Sequence, residues 1–243
     1  MQNQSIPLFV QVAATIKARI SNHEYGPGDP FPSAKELEQE FNVSNITIRR
    51  AIESLTREGW IVPRRGMRAQ VAEQVNDMVE IEITGDFWNW VDMANGRKLG
   101  ITAQILDRQV IACPKPICKI LALDPGETVE RIKRVRKKEE EPISYYVNYG
   151  PSRLFTKLPS RDIERRTFVE TYQDVCNLKL RSMEQRVQAT NADMDLAGIL
   201  KVEFGFPLFF MQNVYYSEKE IPLAVTHMYY RADRYVYTIE RNL

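Results

Sequence analysis

Apolar positions near the start of the chain repeat at helical spacing. Leu8, Val12, Ile16 and Ile20 recur every four residues and predict a helix over Pro7–Asn22, with Pro7 tolerated at its start. The run Tyr25-Gly26-Pro27-Gly28-Asp29-Pro30 breaks it. Ser33 followed by Glu36 is a capping-box pattern and opens a second helix with Ala34, Leu37 and Phe41 on its apolar face. After an Asn42-Val43 turn, Ser44 caps a third helix that runs to about Glu58 and stops at Gly59. At 100° per residue, Ile48, Ala51, Ile52 and Leu55 form one stripe of that helix, while Asn45, Ile46, Arg49, Arg50 and Glu53 lie away from it. Trp60-Ile61-Val62 and Ala69-Gln70-Val71 read as short strands around the turn Pro63 to Arg68.

The pattern changes further on. A polar stretch at 73–78 predicts a linker between a domain over 1–72 and another over 79–243. Alternating runs predict strands at Val79–Ile83, Thr102–Ala112, Thr128–Arg136, Ile143–Tyr149, Met183–Thr190, Leu208–Tyr216, Leu223–Tyr230 and Tyr235–Glu240. Helices fit Asp86–Asn95, Phe168–Cys176 and Met194–Leu200. Strands joined largely by tight turns, with a few helices, predict an α+β fold: an N-terminal winged helix-turn-helix followed by a C-terminal antiparallel sheet.

Composition narrows the class. Hydrophobic residues at 44% and charged residues at 27% are globular proportions, which excludes a disordered chain. The first twenty residues lack the pattern of a signal peptide, and no apolar run approaches the roughly 18 residues of a membrane span. Three cysteines are too few for a disulfide framework, so a cytoplasmic protein without membrane partners is expected. Net charge is only +1, yet Arg49, Arg50, Arg57, Arg64, Arg65 and Arg68 face only Glu53 and Glu58 across the same stretch. Positive charge clustered on one surface suits a phosphate backbone even when the rest of a chain is neutral.

That surface has the chemistry to read duplex DNA. Base edges in the major groove are reached by donors and acceptors at the start of a recognition helix, where the helix N-terminus also favours phosphate. Ser44, Asn45, Ile46, Thr47, Arg49 and Arg50 occupy that position. Arg49 suits guanine, Asn45 adenine or a phosphate, Thr47 a phosphate, and the apolar Ile46 a thymine methyl. Lys35 opens the preceding helix near the same groove, and Gly66 at the hairpin tip lets Arg64, Arg65 and Arg68 approach a minor groove. Taken singly, each arginine could equally be a solvated charge. The order of two caps, an arginine face, a glycine stop and a basic hairpin favours DNA.

PLFVQVAATIKARI, PGDPFPSAKEL, VSNITIRRAIESLTREGWI and the following Gly66 resemble the winged-helix domain of the GntR family of bacterial regulators. Where that family carries an acidic residue and then arginine after Pro-Ser, this chain has Ala34 and Lys35. The family's Val-Ser-Arg is here Val43-Ser44-Asn45, and Arg68 replaces its second wing glycine. Arg49 is retained. The resemblance therefore implies DNA binding, with an operator that diverges from the family's common half-site.

ERIKRVRKKEEEPISYYVNYGP, LKVEFGFPLFFMQNVYYSEKEIPLAVTH and YYRADRYVYTIE resemble the UTRA effector domain of the HutC subfamily, whose fold is similar to chorismate lyase. Strand alternation puts Arg134 and Arg136 on the face of Ile132, roughly 7 Å apart. Two guanidiniums on one face repel unless an anion lies between them, or unless Glu139, Glu140 or Glu141 pairs with either across the hairpin. The resemblance implies that Arg134, Arg136 and Thr167 grip the phosphate or carboxylate of an effector. Trp88 and Tyr146 stand where sugar-phosphate sensors carry a small hydroxyl residue and a carboxylate; Trp90, Tyr145 and Tyr149 add further rings. Such a site favours a flat or cationic-headed molecule that also bears an anionic group. Tyr230 is a candidate lining residue, and Arg231 with Asp233 reads as a structural pair.

The rival readings are a chorismate-lyase-like enzyme and a ligand-independent DNA-binding protein. Catalysis would need a poised acid, base or nucleophile, and the only histidines are His23 and His227. Cys113 and Cys118 lack zinc-site spacing, Cys176 reads as core, and no Walker or dinucleotide glycine motif is present, so neither metal nor cofactor is expected. The function the residues favour is a dimeric repressor, released from a palindromic double-stranded operator by a small anionic effector.

Overall fold

The computed structural model describes residues 6–22, 24–64, 67–73, 78–82, 100–166, 168–177 and 179–239. The expected helix Asp86–Asn95 lies outside them, as do His23, Arg65, Gly66, Trp88, Trp90 and Thr167. The chain divides into two compact units, Met1–Asp77 and Met78–Leu243.

In the first unit, α1 (Leu8–Ser21), α2 (Ala34–Phe41) and α3 (Asn45–Arg57) precede a minimal hairpin of β1 (Ile61–Val62) and β2 (Gln70–Val71). The apolar stripe that periodicity marks on each helix meets in one core: Val12, Ala13, Ile16 and Ile20 from α1, Leu37 from α2, and Ile48, Ala51 and Leu55 from α3. Ile52 packs at its margin. Burying each valine, leucine or isoleucine among them stabilises by about 1.5–3 kcal/mol, which leaves the polar face of α3 outward by necessity. Phe31 closes the core beneath the hairpin, and the Phe31 amide donates to the Ala69 carbonyl at 2.7 Å, tying the entry to α2 to the wing.

The second unit is built on six antiparallel strands in the order β4-β5-β6-β9-β8-β7. These are β4 (Ile101–Ala112), β5 (Thr128–Lys138), β6 (Glu141–Pro151), β7 (Leu180–Asn191), β8 (Pro207–Ser217) and β9 (Pro222–Arg231). One departure from a purely antiparallel plan is a separate parallel pair of β3 (Val79–Glu82) and β10 (Tyr235–Thr238). Helices cover both faces of the sheet. On one face α5 (Ser152–Phe155), α6 (Ser160–Arg165) and α7 (Phe168–Cys176) supply Phe155, Ile163, Val169 and Tyr172 to the main core. On the other, α4 (Lys115–Leu121) and α8 (Met194–Leu200) cover opposite ends through Ile117, Leu121, Leu196 and Leu200. Gly150 on β6 is required by close packing: a Cβ there would lie 1.9 Å from the Phe155 ring.

One element is added here and one expectation needs correction. The stretch around Pro114 and Pro116, for which no element was expected, forms α4: Pro114 precedes the helix and Pro116 sits in its first turn, where no amide partner is lost. Cys113 and Cys118, from which no disulfide was expected, are joined across the start of α4, where their Cα atoms are 5.7 Å apart. Cys176 is free and packs half-buried against the main core.

Candidate DNA-reading and effector sites

Both caps form as the residue order requires. Ser33 Oγ accepts from the Glu36 amide at 3.3 Å and Glu36 Oε2 accepts from the Ser33 amide at 2.6 Å, completing the capping box of α2. Asn42, in the left-handed region with φ of 50°, ends α2. Ser44 Oγ accepts from the Thr47 amide at 3.4 Å and contacts the Thr47 hydroxyl at 3.0 Å. Ser44 and Thr47 therefore build the start of α3 first, and face any phosphate from there.

Asn45, Ile46, Arg49 and Arg50 are exposed along α3, with Ile46 at 66% the most open large apolar side chain of that helix. Lys35, Arg64 and Arg68 are exposed as well. Two of these side chains have acidic partners on α2. Asn45 donates its amide to the Glu38 carboxylate, and Arg68 pairs with Glu36 at 3.0 Å. Glu36 and Glu38 were not among the expected site residues. Their spacing from Ser33 explains a cap for Glu36, but a partner across the turn is visible only in three dimensions. The Ser33 backbone amide, then the Ser33 hydroxyl and Arg68, hold the Glu36 carboxyl below the usual carboxylate value.

In the second unit, pairing of Arg134 with Tyr146 and of Arg136 with Ser144 puts both arginines on one face of β5 and β6, the face covered by α5, α6 and α7. Both are buried, at 5% and 9% exposure. Arg134 Nε donates to Asn148 Oδ1 at 3.2 Å and its Nη1 to the Ile163 carbonyl at 2.9 Å. Arg136 Nη1 donates to the Tyr146 hydroxyl at 3.1 Å, which donates on to Tyr230 at 3.2 Å. The two guanidinium carbons each lie 5.6 Å from the Tyr146 ring centre. Ser144 and Tyr235 share a hydrogen bond of 3.0 Å at the same end, and Asn148 is fixed by Thr226 at 2.7 Å.

Electrostatics set the two arginines apart. Burial, then the neighbouring Arg136 charge, pushes the Arg134 pKa down to about 10. Burial also works against the charge of Arg136, but the Tyr146, Tyr235 and Tyr230 hydroxyls outweigh it and hold its pKa above the ordinary arginine value. Two of the three acidic alternatives across the hairpin have other partners: Glu141 pairs with Arg231 and Arg234, and Glu140 with Lys137. Arg231 also pairs with Asp233 at 2.7 Å, the structural pair the sequence suggests.

Tyr146 and Tyr230 thus join Arg134 and Arg136 in one cluster. Asn148, Ser144 and Tyr235 belong to it and were not expected. Tyr145 and Tyr149 do not. Strand alternation turns them to the opposite face, where Tyr145 packs with the α8 core and Tyr149 lies 5.8 Å from the His227 ring. His227 is packed on that face too, bonded to Gln212 at 3.0 Å, and burial lowers its pKa. It neither orients the arginines nor stands beside them.

A regulator with a winged-helix reader and a separate sensing domain is the class these two sites define. The model for "Bacterial regulatory proteins, gntR family" matches residues 8–71, and the UTRA domain model matches residues 96–236. The chain belongs to the GntR family of transcriptional regulators and carries a UTRA domain. It is similar to the HTH-type transcriptional repressor NagR of Bacillus subtilis (strain 168), 22% identical over 96% of this chain and 93% of that one. It is also similar to the HTH-type transcriptional regulator GgaR of Escherichia coli (strain K12), 25% identical over 96% and 91%. Among solved structures, PhnF from Mycobacterium smegmatis matches with a TM-score of 0.60 at 18% identity, covering 95% of this chain and 99% of that one. YydK from Bacillus subtilis matches at 0.59 and 19%, covering 98% and 100%. The match to the gntR-family model and the names of NagR and GgaR as HTH-type transcriptional regulators set the chorismate-lyase-like enzyme aside. No helix among the described residues is long and apolar enough to cross a membrane.

Proposed function

We propose that this chain is a cytoplasmic, homodimeric repressor, that α3 and the wing read a palindromic operator, and that a small anionic metabolite releases it. The observation carrying the effector assignment is the Arg134–Arg136 pair: two guanidiniums buried on one sheet face and aligned on a single tyrosine ring. Burying two like charges side by side is unfavourable, and an anion between them turns repulsion into two charge-assisted interactions. Tyr146 beside the pair, in place of a carboxylate, favours an effector with a flat or cationic head over a hexosamine phosphate. Trp88 and Thr167 belong to the proposed site on resemblance alone.

On the DNA side, Lys35, Ser44, Asn45, Ile46, Thr47, Arg49, Arg50, Arg64, Arg65, Gly66 and Arg68 are the proposed contact set. Two copies bound to half-sites about one helical turn apart would make the operator palindromic. An effector that binds the DNA-free state more tightly lowers operator affinity by that difference. A thermal-shift screen of anionic metabolites tests the effector site. Hits should raise the unfolding temperature of the parent and leave Arg136→Ala unmoved. Equal shifts in both would remove Arg136 from the site.

A further inference from the structure

Glu38 lies half-buried on α2 where that helix passes the first turn of α3. Its carboxylate accepts a hydrogen bond from the side-chain amide of Asn45, the first residue of α3. An ionised carboxylate has no hydrogen to donate, so the NH2 end of Asn45 must be the end that faces it. The two ends of an asparagine amide are otherwise easily interchanged, and here the partner's chemistry assigns them. The carbonyl oxygen is left as the group Asn45 directs away from α2.

That orientation changes what Asn45 can read. A free asparagine takes adenine through two bonds, donating to N7 and accepting from the N6 amino group. With Nδ2 drawn to Glu38, the acceptor end dominates. In the major groove an acceptor suits the amino groups of cytosine N4 or adenine N6, and is repelled by guanine O6 and N7 and thymine O4. The neighbours of Asn45 on α3, Ile46, Arg49 and Arg50, are exposed on the same helix start.

We propose that Glu38 is a positioning residue that determines base preference: by holding Asn45 Nδ2 it presents Asn45 Oδ1 to the groove, so that Asn45 selects an amino-bearing base. The inference rests on the proposed role of α3 as the base-reading helix. Glutamine at position 38 can still accept from Asn45 through its own carbonyl; alanine cannot.

The test is selection from a randomised duplex library by the full chain and its Glu38→Ala, Glu38→Gln and Arg49→Ala variants, with circular dichroism confirming equal unfolding midpoints. The parent should prefer cytosine or adenine at one position of each half-site by about tenfold. Glu38→Ala should flatten that position alone to about twofold, and Glu38→Gln should restore it. Unchanged preference in Glu38→Ala, or a loss spread evenly over all positions, overturns the role of Glu38. Preferences that move in Arg49→Ala but not in Glu38→Ala sink this inference and spare the reading of α3. Preferences untouched in both variants overturn the two together.

Discussion

Arg49 and Asn45 sit one helical turn apart on the exposed face of α3, and their surroundings differ. Arg49 shares the exposed face with Ile46, Arg50 and Glu53 and is suited to a two-bond contact with guanine. Removing it should weaken specific binding by about 1–3 kcal/mol and relax preference at one base position, measured by fluorescence anisotropy on the selected duplex and its single-base variants. A uniform loss across all those duplexes would instead mark Arg49 as a phosphate contact. Asn45 was legible in the sequence as a candidate reader because Ser44 fixes where α3 begins. Its bond to Glu38 was not, since seven residues and a left-handed turn at Asn42 separate them. The same limit applies to Tyr145 and Tyr149. Tyrosines clustered along one strand look like one site until alternation is applied strictly, and Ser144, Tyr146 and Asn148 take the arginine face instead.

At the scale of elements, three of the helices legible in advance carry their own start chemistry, while α1 was legible from the four-residue repeat of its apolar positions. Ser33, Ser44 and Asp193 each accept from a backbone amide three residues on, and the helices they open begin where expected. α4 was not among the expected helices; the prolines at 114 and 116 do not prevent it, because both positions tolerate them. The parallel pairing of β3 with β10 was hidden for another reason: it joins the two ends of the second unit, and no local pattern encodes a partner so distant in sequence.

The capping box of α2 also makes a pH prediction. The Glu36 carboxyl is held below its ordinary value in the folded state, by the Ser33 amide first. A depressed carboxyl adds stability above its unfolded pKa, and that contribution disappears as pH falls through the folded value. Glu36→Gln keeps a capping-box partner but removes the charge. It should therefore unfold at a lower temperature than the parent at neutral pH, with the gap closing below the ordinary carboxylate range. A gap independent of pH in calorimetric scans would show that the charge contributes nothing.

For the whole molecule, the chain reads as two independently packed units with separate chemistries: an exposed polar helix face in one and a buried basic pair in the other. DNA binding by the family follows from the first, and ligand control is proposed from the second. The link between them is thermodynamic, a difference in effector affinity between DNA-bound and DNA-free protein, and it is reciprocal. Effector should weaken DNA binding by the same factor that DNA weakens effector binding. A chain in which DNA affinity ignores every anion would be the ligand-independent alternative.

The most direct measurement is a titration of operator duplex, obtained by selection from a random library, against the full chain with and without the strongest anionic hit from the thermal-shift screen. Allosteric coupling is typically about 1–3 kcal/mol, so the hit should weaken operator binding by about 5–150-fold. Arg136→Ala should bind the same duplex as tightly as the parent and show no response to the hit. Release of Arg136→Ala equal to that of the parent, or no release of the parent by an anion that demonstrably binds it, would contradict the account.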